Sequence, residues 1–430
     1  VLALTGCASK SEGTAGDTGG QSQDSKAAPK VSTEPVTLTF YPHVAALEEE
    51  LFQQYVAEPT KKKYPYITLE FLPKGGVNKI EEMIASNTIP DIIFAGSDNF
   101  ISLQRVGVLA DMDPLVKQSR FDLSIFAPES IQTLRDANDG KLTAIPFSRN
   151  GAGLWYNKNI FDKFGVSYPT NGMTYDDVIA AARKITQKVD GTQYVGWEPG
   201  FVDANADAFS QPMADAKTKK ALIDTPAIRE VLETMKKGYD IPGFGGEKNA
   251  VRYKPDDFIG NKFIGMYVDW YNKMSGPLIV AHNAGTAPDW DVVTVPTFPE
   301  FKGKGRHESV QFLAISAQSK YKDQAFQVIE AATSHDSQME QSRNGRISIL
   351  KDPESEKQFG QSVPAFKGKH MENIFKFPPV KSAPQTIYDD EVRGIMRGLS
   401  DDIVKKKKDV NTALREAQAE ADKKIAEMGE

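Results

Sequence analysis

The chain has 430 residues, of which 40% are hydrophobic, 26% charged and 10% aromatic. That suggests two or three folding units of ordinary globular composition and excludes a disordered, collagen-like or membrane-embedded class. Its 52 basic and 58 acidic residues give a net charge of −6, which excludes a generally basic nucleic-acid-binding surface. A single cysteine excludes an intramolecular disulfide, a zinc ribbon and an iron–sulfur centre held by several thiolates.

That cysteine, Cys7, follows the apolar stub Val1-Leu2-Ala3-Leu4 and then Thr5-Gly6. The stub reads as the tail of a signal peptide. Leu4-Thr5-Gly6-Cys7 resembles a bacterial lipobox, in which the signal is cut before a cysteine that carries diacylglycerol, so Cys7 is the expected lipidation site. The alternative is a chance cysteine in a ragged terminus. Residues 8–35 are small and polar with no aromatic side chain, too poor in apolar surface to offset the entropy of ordering, and read as a flexible linker. No later stretch reaches the ~18 apolar residues of a membrane helix, so the expected attachment is by lipid, with the folded part on the extracytoplasmic face of a bacterial, Gram-positive cell surface.

The first folded element is expected at Val36–Phe40, where apolar and polar residues alternate as in a strand, with helical spacing through Leu47, Leu51, Phe52 and Tyr55 after it. Ile67–Phe71 is a second strand, Ile80–Ile84 lies in a helix, and Pro90–Ala95 is an apolar run suited to a buried parallel strand. This alternation is the βαβ signature of an open α/β sheet. Further strands are expected at Gly153–Asn157, Tyr194–Trp197, Phe263–Val268 and Val310–Ile315, with helices at Thr174–Ile185 and Tyr321–Ala332. Thr174 is the N-cap and Asp177 completes a capping box. Residues 386–430 read as mostly helical, and the basic run Lys405–Lys408 as a solvated helix end, with a lipid or partner patch as the alternative.

Several of these segments stand in a familiar order: Pro90-Asp91-Ile92-Ile93, Leu109-Ala110-Asp111-Met112-Asp113-Pro114-Leu115, Gly140-Lys141-Leu142-Thr143-Ala144-Ile145-Pro146 and Leu154-Trp155-Tyr156-Asn157-Lys158. Thr174–Val178, Phe258–Met266 and Phe312–Ser316 continue it. Together they resemble the family 1 extracellular solute-binding proteins of ABC importers, over residues 36 to 430. The resemblance implies an α/β, two-lobed periplasmic-binding-protein-like fold of type II, each lobe an open mixed sheet flanked by helices, with a cleft between the lobes. It implies an N-terminal lobe of 36–148 plus about 300–350 and a C-terminal lobe of 149–299 plus about 351–430. It also implies a monomeric receptor, not an enzyme, that captures a carbohydrate, in particular an oligosaccharide, and delivers it to ABC permease subunits. No cofactor, metal or nucleic acid is expected.

Ligand groups should lie on the loops after the strands. Tyr41 and His43 follow the first strand. Asp98 falls where the maltodextrin-binding members of the family grip sugar hydroxyls with an aspartate, and an ionised carboxylate accepts several such bonds; the same residue could be a helix N-cap. Arg149 and Asn150 fall on a crossing between lobes, where Arg149 could instead neutralise an acidic solute. Trp197 and Glu198 resemble a Glu-Pro-aromatic loop of that family. Trp270, flanked by Asp269 and Asn272, falls where it stacks a tryptophan on a sugar ring, which suits an aromatic face against pyranose C–H groups. Trp155, inside a strand, reads as packing. Arg343 and His307 are weaker candidates. No tryptophan occurs after Trp290, so the C-terminal stacking tryptophan of the maltodextrin binders has no counterpart.

The motifs of serine hydrolases, zinc proteases and P-loop NTPases are absent, and the five histidines do not stand at metal-ligand spacing. A glycosidase carboxylate pair among 58 acidic residues carries no sequence signal. A surface-anchored polysaccharide-degrading enzyme, and a receptor of the same fold for a peptide or polyamine, are therefore the alternatives.

Overall fold

The computed structural model describes residues 31–43, 47–74, 76–136, 138, 140–246 and 250–428. Cys7 and most of the expected linker lie outside them. Two sheets organise the described residues, built from β1 (Val36–Pro42), β2 (Ile67–Phe71), β3 (Ile92–Gly96), β4 (Ile145–Asn150), β5 (Ala152–Asn157), β6 (Val195–Glu198), β7 (Ile264–Trp270), β8 (Trp290–Thr294) and β9 (Ser309–Ile315). The first sheet has the order β2-β1-β3-β9-β4 and the second β8-β5-β7-β6.

β1 lies parallel to both β2 and β3, as the βαβ alternation requires, while β9 inserts antiparallel between β3 and β4. In β3, which lies between β1 and β9, Ile92 to Ala95 are all buried, so both faces of this central strand are covered. The second sheet is also mixed: β7 is parallel to β6 and antiparallel to β5. Buried side chains sort into two cores. One runs from Leu38 to Phe147 and resumes from Phe312 to Ile349; the other runs from Ala152 to Phe298 and resumes from Ile347 to Ile425. Trp155 is fully buried in the second, as its strand position predicts.

The expected strands and helices are present with small shifts at their ends. The helix after Thr174 spans Tyr175–Ile185, and its capping box is complete: Thr174 Oγ1 accepts from the Asp177 N–H, and an Asp177 carboxylate oxygen accepts from the Thr174 N–H at 2.9 Å. That backbone bond holds the Asp177 carboxyl below its ordinary pKa. Thr174→Ala is expected to lower stability by about 1 kcal/mol, read as a shift of the denaturant midpoint without a change in slope; an unchanged midpoint would show that the cap contributes nothing. At the other end of the chain, the helices Asp389–Val404 and Val410–Met428 meet at the basic run. There Lys405 pairs with Asp401, Lys406 with Asp402, and Lys408 with Asp402 and Glu416 at 2.6–3.0 Å, so the run is a solvated helix end.

Strand register brings the two sheets edge to edge. In the first sheet the ends of β1, β3 and β4 and the start of β9 share one edge, since Gly96 pairs with Gln311 and Asn150 with Ser309. In the second, the start of β5 meets the ends of β7 and β8, with Ala152 opposite Trp270 and Gly153 opposite Thr294. A single residue, Gly151, joins the two edges between β4 and β5. A second crossing, 295–308, joins them between β8 and β9. Residues 376–388 run alongside that crossing, with the Gly305 N–H donating to the Pro378 carbonyl at 2.9 Å.

Candidate functional site

The facing strand ends enclose a row of cavities, the place where an open α/β sheet positions ligands. A cavity of about 70 Å³ is lined by Asp98 from the first sheet and by Phe201, Trp270, Arg306, His307 and Arg393, among others. The next, about 270 Å³, shares Arg306 and His307 and adds Arg149, Asn150 and Glu308. Glu308 is shared again with a chamber of about 700 Å³ between the helix Pro128–Asp136 and residues 379–385. Residues 305–308 thus run along the whole row.

Trp270 is the last residue of β7, so its indole leaves the sheet at the cleft edge and is only partly buried. His307 meets the ring edge-on at 5.4 Å, and the Arg306 guanidinium carbon lies 5.6 Å from the ring centre. Asp269 caps its neighbour's backbone, accepting from the Trp270 N–H at 2.7 Å, and faces Lys273 at 3.8 Å. Asp98 lies exposed in a short 3-10 turn, Ser97–Asn99, and caps no helix. Among the described residues it has no hydrogen-bond or ion-pair partner within reach. Burial pushes the His307 pKa down, but the carboxylate of Asp207 at 3.1 Å, with Asp98 further off, outweighs it and holds the imidazole above its ordinary value.

Arg149 and Asn150 reach the row but are engaged. Arg149 donates from Nε to the Ser348 carbonyl at 2.7 Å and faces Glu356 at 3.4 Å and Glu308 at 3.7 Å. Asn150 and Asn272 exchange hydrogen bonds across the first crossing, at 3.0 and 3.2 Å.

Five expected ligand residues stand elsewhere. Trp197 lies inside β6 with its ring fully buried between Tyr175 and the helix Pro226–Tyr239, whose Gly238 leaves room for it: a Cβ there would come within 2.7 Å of the indole. Phe201, in the loop after the strand, lines the small cavity, but this tryptophan is core. Glu198 is wholly buried, held by Arg252 Nε at 2.5 Å and by the N–H groups of Tyr253 and Gly200 at 2.9 and 3.2 Å. Burial raises its pKa to about 7, against the opposing pull of Arg252. Tyr41 is fully buried in the first core, and His43 is buried beside it with its pKa lowered by that burial. Both lie at the end of β1 but line none of the three cavities. Arg343 is exposed at the end of the helix His335–Arg343 and bonds to Gln358 at 2.8 Å, away from the row.

The residues that complete the site carry no local sequence signal. Arg306 precedes the His307-Glu308-Ser309 run and belongs to no regular element. Phe201 is sandwiched between two guanidinium groups, those of Arg252 at 3.5 Å and Arg397 at 4.4 Å. Asp203 takes Arg397 in a two-pronged bond at 2.9–3.1 Å. Arg393 and Arg397 reach the site from the helix Asp389–Val404, far along the chain from the strands that frame it.

Among the described residues no helix is long and apolar enough to cross a membrane, and no cluster of three or more histidine, cysteine or acidic side chains is placed to hold a metal ion. The fold is that of solved solute-binding proteins. The ABC substrate-binding protein Lmo0181 of Listeria monocytogenes, in complex with cycloalternan, superposes with a TM-score of 0.73 at 18% identity, covering 91% of this chain and 100% of that one. The sugar-binding protein MalE of Xanthomonas citri gives 0.70 at 18% identity, covering 91% and 98%. In sequence, the melibiose/raffinose/stachyose-binding protein MelE of Bacillus subtilis (strain 168) is 26% identical over 196 residues, 45% of this chain and 42% of that protein, so the match spans less than half of this relative's length. The model of the bacterial extracellular solute-binding proteins matches residues 45–339, more than half of the sequence, and the chain belongs to that family.

Proposed function

We propose that the protein is a receptor that captures a carbohydrate, in particular an oligosaccharide, in the cleft between two lobes and hands it to the permease of an ABC importer, changing no covalent bond. The observation that carries this reading is the Trp270 indole at the cleft edge, with the free carboxylate of Asp98 across from it: an aromatic face for pyranose C–H groups and an acceptor for hydroxyls. The named ligands of the relatives support it, since MelE is a melibiose, raffinose and stachyose binder and Lmo0181 was solved with cycloalternan. The lobes are 36–148 with about 300–350, and 149–299 with about 351–430. A solute touching both favours the closed arrangement, because only there do both sets of contacts form. In the same reading Cys7 carries the lipid that tethers a monomeric receptor to the outer face of a Gram-positive membrane.

A thermal-shift panel of oligosaccharides, peptides and polyamines tests the solute class. A ligand at 100 times its dissociation constant adds about 2.7 kcal/mol, which is easily read. Oligosaccharides are expected to raise the melting temperature; a response to peptides or polyamines alone would overturn the reading, and release of new reducing ends would make the protein an enzyme. Trp270→Ala is expected to weaken the oligosaccharide about tenfold to hundredfold by calorimetry, with the melting temperature of the free protein little changed because the ring is partly exposed. Unaltered affinity would remove Trp270 from the site.

A further inference from the structure

The charges around Trp270 are matched in pairs, with two exceptions. Arg252 is held by Glu198, Arg397 by Asp203, His307 by Asp207 and Lys273 by Asp269; Arg393 approaches Asp203 and Asp390 at 3.9 and 3.7 Å. The exceptions are Asp98, which is exposed, and Arg306, which is not. Arg306 is 8% exposed and faces no carboxylate within ion-pair distance among the described residues. One terminal nitrogen donates to the Asn205 side-chain oxygen at 3.2 Å, an acceptor already shared with the Tyr175 hydroxyl, and the buried Nε has no partner. A buried cation lacking its counter-charge is strongly disfavoured unless an anion is supplied. A guanidinium offers two parallel N–H donors, the geometry a carboxylate completes.

We propose that Arg306 is a specificity-determining residue that receives a carboxylate of the solute, so that the site selects an acidic sugar, a uronate-bearing oligosaccharide, over its neutral counterparts. This rests on the carbohydrate reading of the same cleft. The sugar ring lies on Trp270, its carboxylate turns to Arg306 behind the ring, and its hydroxyls reach Asp98 from the opposite lobe. The other carboxylates lining the cavity do not oppose the anion, because Asp203, Asp207 and Asp269 each face a cation of their own. Asp98 feels His307 and Arg393.

Calorimetry on the intact protein with trigalacturonate, its methyl ester and neutral galactotriose, alongside glucuronate and mannuronate oligomers, raffinose and stachyose, tests the proposal. The best uronate is expected to bind about tenfold to hundredfold more tightly than the best neutral sugar and to lose that margin when esterified, the range of a hydrogen bond to a charged group. Arg306→Gln is expected to abolish the difference between acid and ester; the ester comparison needs no variant and stands even if that one folds poorly. Neutral sugars binding as tightly as uronates would overturn the proposal and leave the carbohydrate receptor intact. Binding by none of these sugars would overturn both.

Discussion

Replacing Trp197 with alanine is expected to lower the unfolding free energy by about 3–5 kcal/mol, the usual cost of removing a buried large aromatic, and to do so without solute present. The magnitude follows from how closely the ring is enclosed. Its ring centre lies 6.0 Å from that of Tyr175, and the helix backbone at Gly238 forms the opposite wall. The backbone before it is equally constrained: a Cβ on Gly196 would lie 2.4 Å from Ala182, so strand and helix are too close for the site to collapse around the void. Chemical denaturation with and without a confirmed sugar separates this from a binding role. The deficit is expected to be the same in both conditions; an unperturbed free protein with weakened affinity would return Trp197 to the ligand.

Arg252→Ala is expected to cost about 1.4 kcal/mol more at pH 8 than at pH 4, because the buried Glu198 carboxyl, deprived of its counter-charge, then keeps its proton above pH 7. Burial holds the folded-state pKa of Glu198 at about 7 while an unfolded glutamate sits at its ordinary 4.5, so between these values the folded state binds more protons. The group's contribution is therefore fully present below pH 4.5, and stability falls as pH rises through 7. Removing Arg252 takes away the opposing charge, raises the folded pKa further and extends the fall above pH 7. At pH 4 the carboxyl is protonated with or without Arg252, and the two proteins should converge. Equal losses at pH 4 and pH 8 would show that the damage comes from lost packing against Phe201 instead. Urea titrations across that range give the answer.

Trp197 and Trp270 show how far sequence reaches. Each stands at or just past the end of a predicted strand beside an acidic residue, Glu198 after Trp197 and Asp269 before Trp270, and local pattern treats them alike. What separates them is long-range: Trp197 meets a helix some 40 residues later, whereas Trp270 is the last residue of its strand and overhangs the cleft. Features with local chemistry were legible, such as the Thr174–Asp177 box and the alternation of β1. Of the strands left unassigned, β8 carries a Val-Val-Thr run that a propensity reading could have found. β4 contains Pro146, which removes a ladder donor and disguises the strand. Arg306 was illegible for another reason: Asn205 and Trp270, its surroundings, stand 101 and 36 positions away, and it sits in a crossing without period. The burial of Glu198 is equally illegible, because its partner Arg252 stands 54 positions away.

The crossing at Gly151 is one residue long, and a Cβ there would lie 2.5 Å from the Ile374 side chain. That brevity fixes the mechanical ratio of the molecule. Asp98 follows a strand two places from β4, and Trp270 ends the strand next to β5. With strands about 4.8 Å apart, the lever to Asp98 is about 10 Å, and any rotation about Gly151 shifts it by up to about 2 Å for every ten degrees. A few tens of degrees would carry Asp98 and Trp270 beyond a shared sugar ring, while Arg149 and Asn150, beside the pivot, would scarcely move. In the proposed reading, release of a solute would then begin at the Asp98 hydroxyl contacts and end at Arg306.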